Sequence, residues 1–263
     1  MTRVSAYQRV ETAGTHAPWL TLVHGATQSR DLFGTQRNAF AERYRLLLVD
    51  LPGHGESAQV DGPFGPNEYA EAVIGAMDAA GVTRTHFWGT HTGTSVALLL
   101  GRRAPARFLS FVLEGAVIPG RELPSVMTSF ERARTTMRER GLVAARQEWF
   151  EHSPWFDVMR KRPIQCRADE HRHLIGLFNG APWQDARVPQ VVTITSDDLA
   201  RIDAPTLLVN GEHEVPDFLP AVEELHASLP RVSRVVVPEA GGFPLWEFPE
   251  RVNVLVHEFL SRA

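Results

Sequence analysis

Short apolar segments alternate with longer amphipathic segments along most of this chain. Runs such as WLTLV, LLLVD and TLLVN have the length and content of buried strands, and the stretches between them place apolar residues at helical spacing. Strands that alternate with helices pair in parallel, because each helix carries the chain back along the face of the sheet. The sequence therefore predicts an α/β fold with a mostly parallel, twisted sheet flanked by helices.

The alternation stops between about residues 119 and 199. This stretch has no convincing strand, and it holds two helix-like segments rich in arginine and glutamate. We expect a single domain over 1–263, with a core at 1–118 and 200–263 and a helical cap, or lid, at 119–199. Aromatic residues of the cap are candidates for the roof of an apolar pocket, and packing as the cap's own core is an equal alternative: Trp149, Phe150, Trp155, Phe156 and Trp183.

Composition limits the partners that such a chain can have. A net charge of −4 over 263 residues gives no basic surface for nucleic acid or an anionic membrane. No apolar run approaches the ~20 residues of a spanning helix, and the first residues lack the apolar segment of a signal peptide. The single cysteine, Cys166, cannot form an internal disulfide. We expect a soluble cytoplasmic protein that takes a small molecule and no cofactor; oligomeric state is not predicted.

The stretch FWGTHTGTSVALLL joins a strand-like run to a helix-like run through a Gly-x-x-x-Gly turn centred on His91. Gly89 and Gly93 suit a sharp turn, because side chains there would collide with neighbouring backbone. The central residue of such a turn has a positive φ, which histidine tolerates better than most residues other than glycine. The pattern predicts an imidazole at the top of the sheet.

Five motifs of this chain resemble those of the α/β-hydrolase fold superfamily in their order and spacing: LVHGATQS, LLVDLPGHGESA, GTHTG, PTLLVNGEHE and VVVPEAGGFPLWEFPERVNVLVHEFL. The resemblance covers the chain outside the cap. It implies that the Gly-x-x-x-Gly turn is the elbow where the family places its nucleophilic serine. Here His91 takes that place, Gly242 takes the place of the catalytic histidine, and Glu214 matches the acid. The catalytic triad is therefore degenerate, and the ordinary serine relay is absent.

The resemblance also implies an oxyanion hole formed by the backbone amides of Ala26 and Thr92. We expect a neutral His91, since the helix dipole disfavours its protonated form, with Glu214 as its partner and Glu114 in reserve. The missing side chain at Gly242 is expected to leave room for substrate or water. Further residues are expected to bind substrate: His24, Thr90, Trp149, Trp155, Phe156, Trp183, Gly242 and Phe243.

Three functions fit this pattern. The first is an enzyme without a serine nucleophile, in which His91 is general base or nucleophile for hydrolysis, or for cofactor-free lyase, cyclase or decarboxylase chemistry, on a small apolar carbonyl compound. The second is a catalytically silent ligand-binding protein. The third is a metal site of His24, His91, His213 and Glu214, whose spacings match no metal-binding rule. Two cap histidines, His171 and His173, are expected on a solvated face.

Overall fold

The computed structural model describes residues 4–263, in which one sheet of seven strands forms the centre of the molecule. The strands are β1 (Tyr7–Val10), β2 (Trp19–Val23), β3 (Arg45–Val49), β4 (Thr85–Thr90), β5 (Phe108–Glu114), β6 (Thr206–Gly211) and β7 (Val232–Val237). Their order is β1-β3-β2-β4-β5-β6-β7. Strand β1 pairs antiparallel with β3, and all other pairs are parallel. The predicted α/β fold with a mostly parallel sheet is confirmed.

Helices cover both faces of this sheet. They are α1 (Gly34–Phe40), α2 (Pro66–Ala79), α3 (Thr92–Arg103), α4 (Pro124–Arg140), α5 (Leu142–His152), α6 (Asp157–Lys161), α7 (Ala168–Leu177), α8 (Ala181–Gln184), α9 (Ser196–Ala200), α10 (Leu219–Ser228), α11 (Pro244–Glu247) and α12 (Pro249–Leu260). Leu20 and Leu22 of β2 belong to one apolar cluster, whereas Trp19 and Val23 belong to another. Because neighbouring strand residues point to opposite faces, the two clusters are the two sides of the sheet.

Residues 119–199 lie between β5 and β6 and contain helices α4 to α8 and all but the last residue of α9; within residues 4–263 no strand falls in this stretch. We call it the helical insertion. Its buried aromatic residues Trp149 and Phe156 share an apolar cluster with Phe243 of the core. The insertion therefore packs onto the core through its aromatic side chains. No helix of the described residues is long and apolar enough to cross a bilayer.

Candidate active site

The sharp turn between β4 and α3 positions His91. Its backbone has φ 47° and ψ −107°, and its amide donates a hydrogen bond to the Glu114 carbonyl at 2.8 Å. A Cβ on Gly89 would lie 2.4 Å from the carbonyl oxygen of Gly93, and one on Gly93 would lie 2.2 Å from that of Val23. Only glycine fits at both positions, so the two glycines allow the strained turn that holds His91 at the upper edge of the sheet.

The imidazole of His91 is packed among aromatic rings. The ring centroids of Phe243, Phe218 and Trp155 lie 4.7, 5.2 and 5.6 Å from its own. The residue is 3% exposed, and both ring nitrogens are buried without a hydrogen-bond partner of ordinary geometry among residues 4–263. Burial lowers the pKa of His91 to about 3, and the backbone of Gly242 offsets part of this effect. The ring is therefore neutral at pH 7.

The carboxyl groups of the two candidate acids, Glu214 and Glu114, accept hydrogen bonds from backbone amides and not from the imidazole of His91. Glu214 Oε1 accepts a hydrogen bond from the Val215 amide at 2.9 Å, and Glu114 Oε1 accepts one from the Leu245 amide at 3.3 Å. Within residues 4–263 no hydrogen bond or ion pair joins either carboxyl to the imidazole. The expected orientation of His91 by a carboxylate is thus not present in this arrangement.

A third buried glutamate, Glu247 of α11, accompanies these two, and the sequence analysis missed it. Each of the three carboxyl groups has one buried oxygen without a partner among residues 4–263. Burial raises the pKa of Glu214 to about 8, that of Glu247 to about 7 and that of Glu114 well above its usual range, and repulsion from the neighbouring carboxylates adds to the shifts of Glu214 and Glu114. We call Glu114, Glu214 and Glu247 the carboxyl cluster. The signal for Glu247 was an acidic residue inside the apolar run PLWEF.

Trp155 of the insertion lies over Gly242, where the sequence analysis expected room for substrate or water. The indole and the backbone of Trp155 are close enough to touch any side chain at position 242. The same indole stacks on Phe218, with centroids 5.7 Å apart. The expectation of free space at Gly242 is therefore wrong, because an aromatic side chain of the insertion fills it.

A cavity of about 280 Å³ lies beside the turn, and Ala26, His91 and Thr92 form part of its wall. The backbone amides of Ala26 and Thr92 donate no hydrogen bond to any residue of the described range 4–263. For Thr92 the reason is its place at the start of α3, where no carbonyl of a preceding helical turn is available. Two unpaired amides in one cavity wall can bind a carbonyl oxygen or an oxyanion.

The other residues of the cavity wall differ from the substrate-binding residues that the sequence predicts. Trp155 and Trp183 line it, as expected for the insertion's aromatic residues. Six expected residues are not part of the wall: His24, Thr90, Trp149, Phe156, Gly242 and Phe243. Phe156 instead stacks on Phe243 with ring planes 9° apart, and both belong to the packed core. Sequence spacing could not separate Trp155 from the adjacent Phe156, because only tertiary packing decides which ring faces the cavity.

The ring nitrogens of His24 and His54 form hydrogen bonds with backbone groups. Nδ1 of His24 lies 2.6 Å from the Gly25 carbonyl, so it donates, and Nε2 accepts from the Leu51 amide at 3.0 Å. His54, which the sequence analysis did not place in the site, lines the cavity, and its Nε2 accepts a hydrogen bond from the Thr27 amide at 3.2 Å. Through these hydrogen bonds, both histidines stabilise the loops that follow β2 and β3.

The metal-site alternative receives no support from these positions. His213 is exposed, and both nitrogens of His24 are engaged with backbone. Within residues 4–263 no group of three or more histidine, cysteine, aspartate or glutamate side chains is arranged so that it could hold a metal ion.

The expectation of a solvated face for the two histidines of α7 is half wrong. His173 is exposed, but His171 is fully buried, with ring centroids 4.8 Å from Phe243 and 4.9 Å from Trp246. Its Nε2 lies 3.2 Å from the side-chain amide nitrogen of Gln28. His171 therefore fixes the insertion to the core instead of facing solvent.

Comparison with known proteins agrees with this architecture. The family model of the alpha/beta hydrolase family matches residues 22–254. A pimeloyl-[acyl-carrier protein] methyl ester esterase from Nitrosomonas europaea is 24% identical over 253 residues, covering 92% of this chain and 95% of that protein. A 2-hydroxy-6-oxononadienedioate/2-hydroxy-6-oxononatrienedioate hydrolase from Burkholderia vietnamiensis is 24% identical over 262 residues, covering 95% and 89%.

A solved structure shows the same fold. The crystal structure of a hydrolase from Pseudomonas aeruginosa superposes with a TM-score of 0.81 at 24% identity, covering 97% of this chain and 93% of that one. The family match spans most of the chain, and the sheet order and the strained turn accord with it. The chain belongs to the alpha/beta hydrolase family.

Proposed function

We propose that the cavity binds a small, largely apolar carbonyl compound and that the chain does not cleave it through a serine nucleophile. The observation that carries this proposal is the pair of unpaired amides, Ala26 and Thr92, in the wall of a cavity whose turn residue is an imidazole. A ligand oxygen between these amides accepts two hydrogen bonds away from bulk water, where such bonds are stronger. The N-terminus of α3 adds a favourable partial charge.

The state of His91 supports binding over turnover. A base with a pKa of about 3 takes little part in proton transfer at pH 7, since catalysis is most efficient when the pKa lies near the working pH. Among residues 4–263 no carboxylate orients the ring. The names of two relatives, a methyl ester esterase and an oxo-dienedioate hydrolase, support a carbonyl compound as the ligand.

The test compares 4-phenylbutan-2-one with butylbenzene, which has a similar shape and no oxygen. The water–octanol partition of the two compounds predicts how their affinities should differ if only apolar transfer mattered. We expect the ketone to bind roughly tenfold tighter than that prediction, because one to two net hydrogen bonds would contribute this factor. In isotope-edited infrared spectra, the ¹³C-labelled carbonyl stretch of the bound ketone should move to lower wavenumber. An unshifted stretch, or affinities that follow partition alone, would contradict the proposal.

Two variants with the same chemical change provide the control. Val126→Phe adds a ring in the cavity wall and should abolish ketone binding, because Val126 lines the cavity. Val143→Phe adds the same ring in α5 at a residue that is 76% exposed and should leave binding unchanged.

A second candidate function is an enzyme in which His91 is a general base or nucleophile, and one observation favours it. Both buried nitrogens of the ring lack a partner among residues 4–263, and each unpaired buried group costs about 1–3 kcal/mol. A substrate that reached them after a shift of Trp155 or Phe218 would relieve that cost. Hydrolysis and cofactor-free lyase, cyclase or decarboxylase reactions could all use such a group together with the oxyanion site.

Exchange of the ketone's α-hydrogens in D₂O, followed by NMR, separates the two candidates. A binding protein should give exchange no faster than buffer alone. An enzyme should give faster exchange that His91→Gln removes without loss of ketone affinity.

A further inference from the structure

Arg134 of α4 lines the site cavity together with aromatic and aliphatic side chains. Within residues 4–263 it is the one arginine, lysine, aspartate or glutamate in that wall. The two histidines of the wall, His54 and His91, each have a pKa lowered to about 3 by burial and are neutral at pH 7. The cavity that we propose to hold a carbonyl compound therefore has a single charged group, and that group is positive.

One edge of the Arg134 guanidinium has no hydrogen-bond partner among residues 4–263. Nη1 donates a hydrogen bond to Oε1 of Glu131 at 2.8 Å. Nε is buried and has no hydrogen-bond partner among residues 4–263, and the neighbouring Nη2 has none there either. The Nε–Nη2 edge presents two parallel N–H groups, which match the two oxygens of a carboxylate.

The Glu131 ion pair does not neutralise this edge. Glu131 lies three residues before Arg134 on the same helix, its side chain is 58% exposed, and it does not line the cavity. Exposed pairs at this spacing contribute about 0.5 kcal/mol or less. The pair therefore holds the guanidinium in place from the solvent side and leaves the Nε–Nη2 edge free.

Arg134 also lies where the cavity meets an outer groove of the insertion. The groove has a volume of about 860 Å³, and Arg134 and Trp183 line both spaces. The Arg134 side chain is 34% exposed, and it lines both the outer groove and the cavity. A ligand that places its apolar part in the cavity would bring a charged end to this junction.

The geometry points to Arg134 as the residue that selects ligands bearing a carboxylate in addition to the carbonyl group. This inference rests on the proposed function, because it assigns the charged end of the same ligand. A carboxylate fits better than a phosphate dianion, since the cavity wall within residues 4–263 has a single guanidinium edge and the two other arginines near the junction, Arg138 and Arg187, line the outer groove but not the cavity. The chain would thus take small apolar oxo acids in preference to neutral ketones or esters.

The test uses 4-oxo-4-phenylbutanoate, its methyl ester and 4-phenylbutan-2-one as probes in calorimetric titrations. The wild-type chain should bind the acid about tenfold or more tighter than the ester, the range expected for a partly exposed charge-assisted hydrogen-bond pair. Arg134→Gln should weaken acid binding by about that factor and leave ester binding unchanged, so that the preference disappears. Arg134→Lys should keep part of the preference.

Arg132→Gln is the matched control. Arg132 lies on the same helix, pairs with Glu148 and is not part of the cavity wall. This variant should keep the wild-type preference for the acid. Circular dichroism and urea unfolding of each variant establish that it is folded.

Each outcome decides between the two proposals. If the ketone binds but the acid has no advantage over the ester, or if Arg134→Gln weakens both equally, the role of Arg134 is refuted and the carbonyl site stands. If none of the three probes binds to the wild-type chain, the carbonyl site itself is refuted together with the inference that rests on it.

Discussion

A side chain at position 242 would begin in tight contact with Trp155. A Cβ on Gly242 would lie 3.1 Å from the carbonyl oxygen of Trp155 and 3.2 Å from Cδ1 of its indole. The indole also meets the His91 ring edge-on, with centroids 5.6 Å apart. The glycine at position 242 and the placement of this tryptophan are therefore parts of one packing arrangement.

The combined variant His91→Ser, Gly242→His and Trp155→Ala should be a serine esterase. It restores a hydroxyl at the strained turn, places an imidazole at position 242 and removes the indole that would collide with it. A positioned base accelerates such reactions by about 10²–10⁴-fold. We therefore expect p-nitrophenyl butyrate hydrolysis about 10²-fold or more faster than with His91→Ser and Trp155→Ala alone, measured as nitrophenolate release.

The variant with His91→Ser and Gly242→His that retains Trp155 is the control for this experiment. It should be slow, because the indole displaces the new imidazole. If the triple variant folds and is no faster than the variant without the new histidine, the acid position or the Ala26 and Thr92 amides do not work as the family's machinery.

The wild-type chain should not react with fluorophosphonate probes. Ser95 lines the cavity, but its hydroxyl donates to the Val117 carbonyl at 3.1 Å, and Ser57 donates to the Asp50 carbonyl at 2.8 Å. Neither sits on the strained turn. Intact-protein mass spectrometry should show no added mass, and attachment at Ser95 would overturn the assignment of the turn.

The sheet could be predicted from the sequence to the extent that its strands are buried on both faces. Every residue of β2, β4 and β6 is buried, so each reads as a distinct short run. Strand β1 was missed. It lies at the edge, three of its four residues YQRV are half-buried and one is exposed, and its pairing with β3 decides its conformation.

The site was predictable only where backbone geometry decides it. Gly89 and Gly93 mark the turn because any Cβ there would meet backbone atoms, and this constraint is local. The distribution of aromatic rings is not local. Trp155 faces the cavity while Phe156 stacks on Phe243, and the choice depends on a contact between the insertion and the core.

His24→Leu should destabilise the fold without affecting ligand affinity. The substitution leaves the Leu51 amide buried without its acceptor, at a cost of about 1–3 kcal/mol. His24 is outside the cavity wall, so the affinity for 4-phenylbutan-2-one should not change. Urea unfolding and calorimetry measure the two quantities. His213→Leu, at an exposed position, should alter stability by no more than about 0.5 kcal/mol.

Stability should be greatest near pH 6.5, because two sets of buried groups oppose each other. The pKa of each carboxyl in the carboxyl cluster is raised from 4.5, to about 8 for Glu214 and about 7 for Glu247. Their contribution to the free energy of unfolding is complete below pH 4.5 and is lost as the pH rises through these pKa values. Five buried histidines have pKa values lowered from 6.5 to about 3 or 4, so their contribution is complete above pH 6.5 and is lost on acidification: His24, His54, His86, His91 and His171.

The alkaline limb of this profile reports mainly on the carboxyl cluster, because the histidines of the unfolded chain complete their titration within about one pH unit above their ordinary pKa. Between pH 6.5 and 8 the wild-type free energy of unfolding should fall by an amount on the order of 3 kcal/mol, as the linkage relation gives for shifts of this size. Glu214→Gln with Glu247→Gln should make this limb shallower, since an amide does not ionise and Glu114 is then the one carboxyl of the cluster that still titrates. Glu122→Gln, at an exposed position, should leave it unchanged. Urea titrations at half-unit pH steps provide the profile, and the same slope in the double variant would show that the cluster is not its cause.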